Sequence, residues 1–434
     1  MDELWRKAEK FAYLEEKGHV GNIAWQELQP DAKGNWLTYN LHDEFDNFVP
    51  LGSKMAKAGK DTDEGTIFKR FSNGVKTNRD AWVYNFGRAA LLATVELTSE
   101  AYNKYVYQLL SLKEKKPNVS AIIDYEDKKV SWSSTLITQL QLKRLAVVNE
   151  EKVRVALYRP FSHQHLYYDG LLNDRPASFA SIFPTVVTEK ENRVFCATGV
   201  GAERPFASLV SQTIPDLNFF GPGTVPQWYP FYIYNEDGTN RRENITDWAL
   251  EKFRTHYGDE SISKWDIFHY VYAVLHHPLY RERYAANLKR ELPRVPYAPD
   301  FRAFASAGAR LAELHVNYER QPEYALARTE QTNVALDYRV ERMKLDRDAG
   351  TLRYNHFLTL SGIPPETFDY RLGNRSALEW VVDQYQVSTD RRSGITNDPN
   401  RPDDPEYILR LVGQVVTVSL ETGKLVRSLP SLGV

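Results

Sequence analysis

The sequence predicts an α+β fold with a mixed or antiparallel β-rich region, a helical bundle, and a C-terminal hairpin followed by helices. Three observations carry this reading. Between about residues 118 and 237, short strand-like runs (VSW, VRVALYRPF, HLYYD, NRVFCAT, QWYPFYIY) alternate with turn signals, which suits a mixed or antiparallel sheet better than repeated βαβ units. From residue 246 to about 318 the period becomes helical. Tyr280, Tyr284, Leu288 and Leu292 recur every four residues with Arg281, Glu282, Arg283, Lys289 and Arg290 between them, so one face packs and the other meets solvent. Beyond residue 330, YRVERMKLDRDAGTLRYN reads as a hairpin with Ala349 and Gly350 near its turn.

In chain order, a helix through Phe11, Tyr13 and Leu14 ends at Gly18, and short extended pieces follow around 23–28 and 35–39. KMAKAGKDTDEG, residues 54–65, has alternating charge and no apolar period, which makes it a solvated loop. IFKRF and AWVYNF read as two strands joined by a polar turn carrying Asn73, Gly74, Thr77 and Asn78. A helix from residue 88 to about 112 ends in KEKK and Pro117, a boundary. His277 before Pro278 marks a helix break and restart, because proline fits a first helical turn. Two closing helices, SALEWVVDQYQV and PEYILRLVGQVVTVSLETGKLV, flank the polar loop STDRRSGITNDPNRPDD. These signals divide the chain into segments 1–117, 118–240, 241–330 and 331–434.

Composition narrows the function. With 434 residues, 42% hydrophobic and 26% charged, the chain is long enough for two or three domains and too apolar for wholesale disorder. Lys plus Arg is 55 against 57 Asp plus Glu, so no global basic field exists and any grip on nucleic acid must be local. A single cysteine, Cys196, excludes an internal disulfide and a Cys-based zinc cluster, and fits a reducing compartment. MDELWRKAEK lacks an apolar signal core, and no run approaches the roughly 18 apolar residues of a membrane span. A cytoplasmic protein without membrane contact is expected.

Motifs of known chemistry are missing. Gly59–Lys60 leads into Asp61 with no preceding strand, so there is no phosphate loop. Gly199 and Gly201 in CATGVGAERPF lack the third glycine of a dinucleotide site, leaving either a ligand loop or a plain strand-to-turn connection. Pro364 and Pro365 stand between Ile363 and Glu366, which cannot build the Asn-Pro-Pro-aromatic motif that holds an extruded base. Pro30–Asp31 and Pro215–Asp216 are wrongly spaced from Glu114 and Lys116 for a metal-dependent nuclease. His163 and His165, at i, i+2, have no third ligand nearby and read as hydrogen-bonded histidines at a sheet edge. Cys196 lies in an apolar strand where burial raises its thiol pKa, and no GxSxG elbow exists. No catalytic residue, cofactor site or metal site is assigned.

What remains are cations beside amides and hydroxyls. GVKTNRD supplies Lys76, Thr77, Asn78 and Arg79, while STDRRSGITNDPN supplies Arg391 and Arg392 beside Ser388, Thr389, Ser393 and Asn397. Such mixtures suit phosphate oxygens and base edges. As bare composition they are more often solvated turns, in which Arg79 pairs with Asp80 or another carboxylate.

Several strings together are familiar: SNGVKTNRDAWVYNF at 72–86, YRPF and LYYD within 158–169, WDIFHYVYAVLHHPLYRERYAANLKRELPRVP at 265–296, and SALEWVVDQYQVSTDRRSGITNDPN at 376–400. Over nearly the whole chain they resemble the C-terminal specificity region of Type I single-polypeptide (Type ISP) restriction–modification enzymes. In that family one long polypeptide carries a nuclease, a helicase-like ATPase motor, a coupling segment, an adenine-N6 methyltransferase and, last, a target recognition domain. The resemblance implies that this chain is the last part only, either an expressed fragment or a split-gene product. It also implies double-stranded DNA and the methyltransferase domain as partners, residues 1–117 adjoining the latter. No enzymatic activity belongs to the chain alone on this reading, and S-adenosylmethionine, ATP and Mg serve the upstream parts only. Lys76, Asn78, Arg79, Arg391 and Arg392 become candidate DNA contacts. Because members read different targets, the shared strings build scaffold, grip phosphates or dock the methyltransferase, and base reading falls to loops such as 170–181 or 198–206. Two other readings stand beside this one: a protein interaction scaffold using the aromatic-rich helices, and an enzyme with a site around Arg159, His163 and Tyr167.

Overall fold

In the computed structural model, which describes residues 6–25, 27–30, 34, 36, 38–53, 55, 65–112, 118–126 and 128–434, the opening helix runs Lys7–Lys17. It stops where Gly18 takes a φ of 68°, a conformation that costs glycine little. Most of the 54–65 loop and the KEKK–Pro117 boundary lie outside the described residues. The chain falls into two compact units, Met1–Leu41 and His42–Val434. The first holds the opening helix and a single 3-10 turn, Val20–Asn22, and its described residues form no strand at 23–28 or 35–39.

Within the second unit the β structure is short and mostly antiparallel, as expected for an α+β fold. One four-stranded sheet orders Ser72–Asn73, Gln227–Pro230, Val194–Ala197 and Val210–Ser211. A second orders Tyr84–Asn85, Ser162–Tyr167, Val153–Arg159 and Ile214–Pro215, the last pairing being parallel. The C-terminal hairpin, Lys344–Asp346 with Thr351–Arg353, turns through Gly350 at φ 60° and extends into a third sheet through Leu358–Ser361 and Ala327–Glu330. Val49–Pro50 pairs with Arg294–Val295, so strands join the segments into which the sequence divides.

Most helices match their signals, but the period through Tyr280, Tyr284, Leu288 and Leu292 is divided between two short helices, Pro278–Arg283 and Ala285–Arg290, with Leu292 beyond them. Arg88–Ser111 and Tyr407–Arg427 are the long ones. The break at His277 is real, with Pro278 opening the Pro278–Arg283 helix. Lys264–Val274 is hydrophobic nearly all round and buries seven residues, as a helix at the centre of a core must. It crosses Phe301–Val316 so closely that a Cβ at Gly308 would lie 1.8 Å from the His269 carbonyl oxygen. Three local readings change. IFKRF makes only a bridge, Phe68 to Ile245, and AWVYNF begins as a helical turn, Asp80–Val83, before the short strand Tyr84–Asn85. The polar loop after residue 387 contains a small hairpin, Ser388–Thr389 with Thr396–Asn397.

Buried imidazoles give this core a pH signature. His315 accepts or donates at both nitrogens, to the Tyr272 hydroxyl at 2.6 Å and the Thr422 hydroxyl at 2.9 Å. Burial, helped by the nearby Arg281 charge, pushes its pKa down to about 3, and burial takes His269 down to about 4. The unfolded imidazoles titrate near about 6.5, so the unfolded state binds more protons below that value. Stability is therefore complete above pH of about 6.5 and falls as the pH drops toward the folded values. The unfolding free energy from urea denaturation, and with it the midpoint, should decline from pH 7 to 5, and His315→Gln should shallow the decline in free energy by up to about 1.4 kcal/mol per pH unit. A midpoint constant across that window contradicts the assignment.

Candidate nucleic-acid interface

The turn after Ser72–Asn73 is held by tight backbone approach. A Cβ at Gly74 would lie 2.2 Å from the Asp216 carbonyl oxygen, while Val75 N donates to the Pro215 carbonyl and the Val75 carbonyl accepts from Leu217 N across the same contact. Lys76 is half-buried and pairs backbone to backbone with Arg175, at 2.9 Å in both directions. Asn78 is exposed at a φ of 56° and donates from Nδ2 to Asp174 Oδ2 at 2.6 Å. Arg79 goes the other way, with 1% of its surface exposed. Its Nη2 donates to Asp174 Oδ1 at 2.8 Å and Ser133 Oγ at 2.7 Å, its Nη1 to the Thr77 and Leu172 carbonyls, and its Nε to the Ser131 carbonyl. Burial lowers the guanidinium's pKa and Asp174 opposes that shift. Arg79 is thus a buried brace whose partner is Asp174 rather than Asp80, and a direct phosphate contact, expected of it from sequence, is sterically closed to it.

Asp80 has its own partners: Thr77 Oγ1 donates to one oxygen and the Tyr158 hydroxyl to the other, the latter at 2.9 Å. The second cation cluster docks beside this turn. Asn85 Nδ2 donates to the Thr396 carbonyl at 3.1 Å, and Phe86 N to Asn397 Oδ1 at 2.8 Å. Asp390 ties the hairpin's tip by accepting from Arg392 N, Ser393 N and Ser393 Oγ, bonds that hold its carboxyl below the usual range. Arg392 reaches the Tyr125 and Val130 carbonyls and lies 5.8 Å from the Trp82 ring centroid. Arg391 is exposed and has no side-chain partner among the described residues. Between turn and hairpin lies a cleft of about 270 Å³ whose lining includes Asp80, Tyr158, Gln164, Asp390 and Asn397. Its two carboxylates disfavour phosphate inside it.

The structure therefore brings both clusters together, and it joins them to the 170–181 loop through Asp174 and Arg175. Arg175 is exposed, has no side-chain partner among the described residues and neighbours Lys76. In the sequence it is a single cation inside GLLNDRPAS, with no cluster around it to set it apart. No hydrogen bond among the described residues joins this loop to residues 198–206, where Gly201 N instead meets the Lys289 carbonyl at 2.7 Å.

Arg159, His163 and Tyr167 do not converge. Arg159 pairs with Asp216 Oδ1 at 2.6 Å, His163 Nδ1 lies 2.8 Å from Glu319 Oε1 and from the Tyr318 hydroxyl, and the Tyr167 hydroxyl donates to the Val147 carbonyl at 3.3 Å. The strand carrying His163 and His165 is flanked on both sides, not at a sheet edge. Burial pushes the Cys196 thiol up. Among the described residues, no cluster of three or more His, Cys, Asp or Glu could hold a metal, and no helix is long and apolar enough to cross a membrane.

Turns and loops bearing cations and amides, carried on short sheets around a helical core, define a recognition-type α+β domain. The chain belongs to the Type ISP C-terminal specificity domain family, whose model matches residues 66–411. Three solved structures are similar over 98% of the chain. A nuclease-deletion mutant of the Type ISP restriction–modification enzyme LlaGI in complex with a DNA substrate mimic is 32% identical, with a TM-score of 0.84. The DrdV–DNA complex, solved by cryoEM, is 34% identical with a TM-score of 0.86. The ATP-dependent Type ISP enzyme LlaBIII bound to DNA is 28% identical with a TM-score of 0.85. The chain covers 38%, 42% and 27% of those three chains. No curated protein matches.

Proposed function

We propose that this chain supplies DNA target recognition to a Type ISP restriction–modification enzyme, in a cytoplasmic setting. The observation that carries the reading is the match along 98% of its length to three proteins whose structures contain DNA. Lys76, Arg175 and Arg391 then position the duplex by its phosphates, with Asn78 alongside, while Arg79 and Arg392 brace the turns that present them. Base reading falls to the 170–181 loop, fixed to that turn by Asp174. A methyltransferase domain, in the same or a companion polypeptide, completes the clamp. S-adenosylmethionine, ATP and Mg act there and in the motor and nuclease, so the isolated chain neither methylates nor cleaves DNA nor hydrolyses ATP.

Fluorescence anisotropy with labelled duplex at graded salt tests this reading. Half a clamp with a net charge of −2 should bind weakly, at about 10⁻⁴ to 10⁻⁶ M near physiological salt, and more weakly as salt rises because phosphate contacts release counterions. Salt-independent binding, or none at low ionic strength, contradicts it. Turnover with labelled methyl donor or ATP that is lost on mutating this chain contradicts the assignment of catalysis to other parts.

A further inference from the structure

The 198–206 loop, with its Gly199 and Gly201, is not absorbed by the interface above. It forms one wall of a cleft of about 520 Å³, opposite Pro278–Arg283 and Ala285–Arg290. That volume is in the range of small-ligand sites. Four cations line it, Arg204, Arg281, Lys289 and Arg371, against two carboxylates, Glu203 and Glu282. Phe206 and Leu288 supply apolar surface between them.

Arg281 is the unusual member. Its Nε donates to the Leu275 carbonyl at 2.6 Å, but Nη2 is buried without a hydrogen-bond partner, and Nη1 makes no bond either among the described residues. No carboxylate among those residues lies within ion-pair distance. Burial lowers its pKa, opposed only by the tyrosines Tyr370 and Tyr272. Behind it, His276 Nε2 and the Tyr370 hydroxyl also lack partners. Water can satisfy such donors but does not neutralise the charge, and a desolvated guanidinium without a counter-ion is destabilising. Asn374 ties the rim arginines: Arg204 Nη1 donates to Asn374 Oδ1 at 2.6 Å and Arg371 Nη2 to the Asn374 carbonyl. Lys289 is exposed, and its carbonyl holds Gly201 N, which keeps the loop beside it.

We propose that this cleft binds a phosphate ester, with Arg281 Nη1, the unbonded guanidinium nitrogen that is not sealed from solvent, as the inner ligand and Lys289 and Arg371 at the rim. An excess of two positive charges matches a phosphate dianion, and a guanidinium fork fits its oxygens. The site itself is independent of the DNA reading; only one source of the phosphate, a backbone phosphate of bound duplex, rests on it. The other source is a free phosphate ester.

The test is calorimetric titration of the whole chain with inorganic phosphate, in chloride buffer of matched ionic strength. Wild-type protein should give saturable heat, and Arg281→Gln should abolish it. Should Arg281→Gln fail to fold, Lys289→Ala with Arg371→Ala, both exposed positions, should keep the chloride melting temperature and weaken phosphate affinity by about tenfold. No saturable heat in wild type, or equal affinity in the rim variant, overturns the proposal. Repeating the titration with saturating duplex separates the sources: heat lost means the duplex fills the site, and heat retained means a free ester does. A chain that binds phosphate but no duplex keeps this site and sinks the DNA reading alone.

Discussion

Replacing Asp174 with alanine should destabilise the protein by about 3–5 kcal/mol, the cost of leaving a buried charge unpaired. The Asp174 side chain is 5% exposed and accepts from Arg79 Nη2, Ser133 Oγ and Asn78 Nδ2. Arg79 in turn collects the Thr77, Ser131 and Leu172 carbonyls, so one guanidinium ties the turn to two distant segments. Without the carboxylate, Arg79 keeps its charge in a site from which water is excluded. Urea denaturation reads the loss directly, and a change below about 1 kcal/mol, the range of exposed pairs, shows that the brace is solvated after all. The same substitution should loosen Asn78 and the 170–181 loop, coupling stability to DNA binding.

The second large effect concerns the phosphate grip. In the complete enzyme, Lys76→Ala, Arg175→Ala and Arg391→Ala together should weaken binding to all duplexes alike and reduce the salt slope by about 0.9 per lost contact, nearly 3 in total. Target preference should stay as it was, because contacts to phosphate carry no base information. A changed preference places these turns in a groove instead, and unchanged affinity removes them from the interface. Arg79→Ala is the useful contrast: its cost should appear in the urea midpoint rather than as one lost phosphate contact.

Those two expectations also mark what the sequence made legible. Local signals carried well: Pro278 restarted a helix, Gly350 turned a hairpin, and the Arg88–Ser111 helix has almost the bounds its apolar pattern implied. Long-range pairings did not. The partner of Arg79 stands 95 residues away, and nothing near it favoured Asp174 over the adjacent Asp80. The hairpin within 388–397 read as a polar loop because its two-residue strands hold few apolar residues, and Asn85 and Phe86, 311 residues distant, dock it. AWVYNF alternates like a strand, yet the Thr77–Asp80 bond favours a helical turn over its first residues. Charge alone marked Lys76, Arg79, Arg391 and Arg392 as equals; in the fold Arg79 is buried and Arg392 bonded to the Tyr125 and Val130 carbonyls, while Arg391 and Arg175 are exposed without side-chain partners among the described residues.

The most direct test is an exchange of specificity. This chain would replace the similar segment of LlaGI, and the methylated positions would be mapped by sequencing DNA exposed to the chimera. Methylation is expected at a sequence different from LlaGI's own, with Lys76→Ala, Arg175→Ala and Arg391→Ala lowering its extent and leaving its position unchanged. Methylation retained at LlaGI's own target by an active chimera would contradict the claim that this chain carries the specificity.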